Sequence, residues 1–279
     1  MNPMTEPALS APPVVPAYRA GQRVTLIRVI HSEWTKLWSL PSTLWLLLIT
    51  AVLVAGGGLI SAIIELSSLP HGAAAVAAFD PTQLSLSGVG LAELTAGALG
   101  VLVMTGEYAT GQVRLTFTAV PRRLPVLWGK TTALAVALLA VSAAATFAAF
   151  FITQAILSPH HLSTTVGQPG VARAVFGSAL VLTGVALLGL GLGALLRNAA
   201  GGISALFGLL YGLTIAAAFL PGHLAHEVRE YLPENSASDV TSVTHQAGSL
   251  GPWAGFGLFC LYTAVALGVS AWLLRRRDA

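Results

Sequence analysis

The segment GEYATGQVRLTFTAVPRRLPVLWGKTT, Gly106 to Thr132, ends in Gly129-Lys130-Thr131, the closing half of a phosphate-binding loop. Such a loop wraps backbone N–H groups around phosphates and needs a glycine five residues before its second glycine. Leu124 holds that place, Pro125 and Trp128 lie inside the would-be loop, and an apolar helix follows at once. Nucleotide binding is therefore not expected here, and Lys130 reads as a basic residue at the end of an apolar helix. His223, His226 and Glu227 form His-x-x-His-Glu, whereas a helical zinc site needs histidines four apart with the glutamate between. His160 and His161 are adjacent rather than on one face, and all four histidines read as solvated loop residues. No catalytic, cofactor-binding or metal-binding residue is expected in the chain. Glu93 remains, a carboxylate within an apolar run. An ionisable group in lipid must face a bundle interior, a partner or water, so Glu93 marks a polar lining, an interhelical contact or a proton or cation relay.

These residues need elements to hold them, and composition says what kind. The chain has 279 residues, 55% hydrophobic and 9% charged, with a mean hydropathy of +0.77. That is outside the range of soluble domains and fits an all-α polytopic membrane protein. A bilayer core takes roughly 20 apolar residues of helix. Six runs qualify, at about 42–64, 86–105, 130–156, 171–196, 199–220 and 253–274, within one transmembrane domain over 21–279. Residues 1–20 are proline-rich without an apolar run and read as a disordered tail. The lone Cys260 excludes an intramolecular disulfide and a cysteine metal cluster.

Charge sets the orientation. Twelve of the fourteen Lys and Arg residues fall before the first run, between the second and third, between the fourth and fifth, or after the sixth; only Arg173 and Arg229 lie on the other side. Cytoplasmic loops retain such residues, so both termini are expected in the cytoplasm. Arg197-Asn198 leaves room only for a tight hairpin between the fourth and fifth runs. The thirty or so residues before the sixth carry Leu224, Val228, Tyr231 and Leu232 at helical spacing, a short amphipathic or re-entrant element stopped by Pro233. Gly56-Gly57-Gly58 is expected to bend or thin the first run, and Gly189-x-x-x-Gly193 to pack closely against another helix.

Val113, Phe117 and Val120 would share one face of a helix running from about Tyr108 to Ala119 and ended by Pro121. This segment reads either as a loop whose arginines set topology or as a short helix shown to a cytoplasmic partner. Upstream, Ile27, Ile30, Trp34, Leu37 and Trp38 form an apolar stripe, with Arg23, Arg28, Glu33 and Lys36 around it. It is expected to lie in the membrane interface over residues 22–40.

Two stretches, HSEWTKLWSLPSTLWLLL (His31 to Leu48) and MTGEYATGQVRLTFTAVPRRLPVLWGK (Met104 to Lys130), resemble signatures of type-2 ABC transporter permeases, especially the small actinobacterial ones. The first resembles the family's elbow segment, with Glu33, Trp34, Lys36 and Trp38. The second resembles its Gly-Glu-Tyr motif and the basic residues after it: Gly106, Glu107, Tyr108, Gly111, Arg114, Phe117, Pro121, Arg122 and Arg123. The resemblance implies that elbow and connector contact a separate ATP-binding subunit, present in two copies, which binds ATP and Mg. It further implies a second permease copy, identical or not, a pathway without chemistry of its own, export as the direction, and no nucleic acid. Trp38 and Pro41 stand where the family often has basic residues. Two other classes stay open on the residues alone: an ion- or proton-coupled carrier using Glu93, and a membrane protein of immunity or sensing that does not transport.

Overall fold

A computed structural model describes residues 25–67, 79–112, 123–244 and 250–276, which are helical and contain no strand. Six helices are long and apolar enough to cross a membrane: Pro41–Ser67, Val89–Ala109, Leu124–His160, Val171–Leu196, Ala199–Ala217 and Pro252–Arg276. They are called the first to sixth spans below. Lipid offers no partner for backbone N–H and C=O groups, so each run satisfies its own as helix. A shorter helix, Leu26–Ser39, precedes them.

The fourth span is the centre of the bundle. Two-thirds of its apolar window is buried (67%), against 17% for the fifth. Small residues bring its neighbours in. Ala186 O lies where a side chain on Gly100 of the second span would stand, and Gly189 and Gly193 meet Gly97 and Val101 of that span. The Gly-x-x-x-Gly face therefore packs within its own bundle, while Gly191 meets Ala266 and Gly184 meets the Phe259 ring of the sixth span. Leu99, Leu134, Leu138, Phe150, Leu182 and Leu190 fill the space between.

Gly56 to Gly58 leave the first span a continuous helix. Their work is lateral: Gly57 lies against Gly88 and Gly58 against Ser85 O, which seats the turn before the second span. Gln154 ties this end together, donating to Pro81 O at 3.1 Å and Ser85 Oγ at 3.0 Å and accepting from Thr164 N–H at 2.7 Å. The fourth and fifth spans join through Arg197, which takes a left-handed conformation (φ 53°), and Asn198, which accepts from Gly201 N–H at 2.8 Å. The hairpin expected from Arg197-Asn198 is thus formed with both helix ends capped.

Three span boundaries differ from the sequence reading. The second span starts at Val89 rather than about 86, because Asp80 caps a separate turn, Pro81–Ser85, by accepting from Thr82 and Gln83 N–H. The third span's helix begins at Arg123, about two turns before Lys130, since Pro125 falls in a first turn that has no use for its missing N–H. The fifth carries a π-helical segment, Gly208–Gly212, and ends at Ala217. Beyond it come two short helices, Gly222–Arg229 and Pro233–Ser238. The amphipathic helix ends at Arg229, four residues before the stop expected at Pro233, so Tyr231 and Leu232 lie beyond it; Pro233 instead opens the next helix.

Candidate functional site

At the end of the bundle that carries residues 25 and 276, four charged side chains close into one cluster. Lys130 Nζ donates to Glu33 Oε2 at 2.6 Å and to Glu107 Oε1 at 2.7 Å. Lys36 Nζ donates to Glu33 Oε1 at 2.7 Å and to Glu107 Oε1 at 2.9 Å. Three elements supply them: Leu26–Ser39 gives Glu33 and Lys36, the last turn of the second span gives Glu107, and the third span gives Lys130. Glu33 and Lys130 are each 3% exposed, values that charged side chains reach only when paired.

Val29, Glu33 and Leu37 face the bundle and are buried, at i, i+4 and i+8, while Ile27 and Trp38 of the apolar stripe are exposed. Carboxylate pairing helps select this inner face, to which the stripe contributes Leu37. The Trp34 and Trp38 rings pack at a tilt of 55°, with centroids 5.8 Å apart. Gly129 leaves space that Val29 fills, so Gly129-Lys130-Thr131 forms a helix-packing and ion-pairing seam. Lys130 is buried inside the helix, not at its end as the sequence suggested.

Burial draws the Lys36 ammonium down, but hydrogen bonds and charge from Glu33 and Glu107 outweigh it and hold it above the usual lysine value. Beside the cluster, Arg197 of the fourth–fifth hairpin lies over the Tyr108 ring, 5.3 Å from its centroid. Tyr108 belongs to the second span, which runs to Ala109; Gly111 then turns with φ 71°, so no separate helix begins at Tyr108. Arg114, Phe117, Pro121 and Arg122 lie outside the described residues, as do the side chains of Arg123, His223 and His226.

A second polar group sits at the opposite end. Tyr211 Oη donates to Glu93 Oε2 at 2.8 Å, and the Glu93 carboxyl is hydrogen-bonded to that of Glu234. Glu93 is 6% exposed. Burial lifts Glu234 above the usual carboxylate range. Tyr211 comes from the π-helical segment of the fifth span, a rare geometry that recurs at functional sites. Glu93 thus makes interhelical contacts, to Tyr211 of the fifth span and to Glu234. Sequence reading missed Tyr211 and Glu234, which lie 118 and 141 residues from Glu93; a tyrosine in an apolar run and a glutamate after a proline carried no pairing signal. Among the described residues no group of three or more His, Cys, Asp or Glu could hold a metal ion.

The fold is that of a multi-pass α-helical membrane protein. Compared with known proteins, the chain matches no family model and no curated sequence.

Proposed function

We propose that the chain is the membrane-spanning permease subunit of an ATP-driven exporter of the type-2 ABC class. The observation that supports this reading best is the four-charge cluster. It fastens the N-terminal helix to the two spans that flank the connector between Ala109 and Arg123. A push on that connector, or on the helix, cannot move one without the other two. In this reading Leu26–Ser39 is the elbow, and the connector with Arg114, Arg122 and Arg123 faces a separate ATP-binding subunit in the cytoplasm of a bacterium. Two such subunits hold ATP and Mg, a second permease copy completes the pathway, and this chain supplies coupling without an ATPase site of its own.

The test is purification of the chain from its native membrane in mild detergent. An ATP-binding subunit of the ABC type should accompany the wild type and be lost from a variant with Arg114, Arg122 and Arg123 changed to alanine. If none accompanies the wild type, the reading fails. A second reading, a proton-coupled carrier, draws on the buried Glu93 carboxyl and its contacts with Tyr211 and Glu234. Transport that continues with the ATP-binding subunit inactivated would favour it.

A further inference from the structure

Beside the charged cluster the structure has a cavity of about 320 Å³ between the N-terminal helix and the first and second spans. That is at the small end of the range for ligand pockets. Its walls are aliphatic, with Leu37 and Leu99 buried and Leu102 37% exposed at the rim. One end is polar, made of Lys36, Glu107 and Thr43. Leu40, Thr110 and Gln112 line the opposite margin and are exposed, so the cavity is open to its surroundings.

The polar end has unused capacity for an anion. A lysine ammonium carries three donors; Lys36 gives one to Glu33 and one to Glu107, and 36% of its side chain is exposed. The two glutamates are matched by two lysines, so the floor carries no net negative charge to repel a phosphate. The cavity also lies where a headgroup would be, at the ends of two spans and on the helix that carries Trp34 and Trp38, residues that favour that depth.

We propose that this cavity is a binding site for a bilayer phospholipid, its phosphate accepting from Lys36 and the first part of one acyl chain lying along Leu99 and Leu102. The volume takes a glycerol-phosphate and the near methylenes; the rest of the lipid stays in the bilayer. The bound phosphate would touch the ion cluster directly, so lipid occupancy and the seating of the N-terminal helix are linked. The site requires only that the helices span a bilayer; it does not depend on an ATP-binding partner or on the direction of transport.

Gly106 tests it cleanly, because it lines the cavity and a Cβ there would meet nothing within 4 Å. Gly106→Leu adds a side chain at a position whose Cβ has room, and Leu102→Trp fills the cavity from the rim should the first variant misfold. The full chain, reconstituted in phosphatidylglycerol nanodiscs and transferred to detergent, is weighed by native mass spectrometry. The wild type should retain a bound phospholipid and both filled variants should lose it. Ile60→Trp, on an exposed face of the first span away from the cavity, should keep it. Lys36→Gln should bind phosphatidylglycerol about tenfold more weakly, the value of one charge-assisted hydrogen bond, while binding of diacylglycerol, which lacks the phosphate, should not change between the two. A wild type that retains no lipid, or filled variants that retain it as the wild type does, would overturn the proposal; equal loss of both lipids in Lys36→Gln would overturn the phosphate contact.

Discussion

Removing the Lys130 ammonium leaves two buried carboxylates, Glu33 and Glu107, with Lys36 as their remaining partner. Breaking a buried ion pair from one side costs about 3–5 kcal/mol, mostly because the surviving charge stays desolvated. Lys130→Met keeps the stem and removes the charge, so it should destabilise the protein by an amount in that range, read as reversible unfolding in detergent. Adding Glu107→Gln should recover part of the loss, since it neutralises one of the stranded carboxylates. A Lys130→Met protein as stable as the wild type would show that the cluster contributes no net stability. The consequence for function is positional: these four side chains are worth more as a joint between helices than as a source of stability.

The short helix Pro233–Ser238 brings Glu234 to Glu93 and Tyr211, and so joins the connection before the sixth span to the second and fifth spans. An acid whose folded pKa lies above its unfolded value holds more protons folded than unfolded between the two values. Stability then falls as pH rises from the ordinary glutamate pKa of about 4.3 through the raised one. Thermal unfolding in nanodiscs should show the wild type losing stability as pH rises above the ordinary glutamate value, and Glu234→Gln should flatten that slope. Identical slopes would remove Glu234 from the pair. How far these elements could be read in advance follows from the same physics. The fourth span was legible to the residue, Val171–Leu196, because a long apolar run ends at a charge and a turn. The hairpin at Arg197-Asn198 was legible because two residues allow little else. The inner face of Leu26–Ser39 was not, since an apolar stripe in a membrane protein marks the side facing lipid as readily as the side facing protein. The seat of Lys130 was hidden likewise, because its partners lie 97 and 23 residues away.

At the scale of the molecule, the six spans put Gln112 and His160 at opposite ends of the bundle. The orientation proposed above, argued from the uneven spread of Lys and Arg, has the Gln112 end in the cytoplasm. With the exposed Cys260 changed to serine, single cysteines at these two positions report the arrangement to a membrane-impermeant maleimide. His160→Cys should react in intact cells and Gln112→Cys only in inverted vesicles; the reverse pattern would invert the topology and remove the connector from any cytoplasmic partner. The two-residue turn at Arg197-Asn198 also bears on how the chain is built into the bilayer. No loop exists there to be threaded separately, and the fifth span alone, with its glycines and its sparse burial, has little to hold it. A two-residue turn favours entry of the fourth and fifth spans into the bilayer together, as one helical hairpin with Arg197 at its turn.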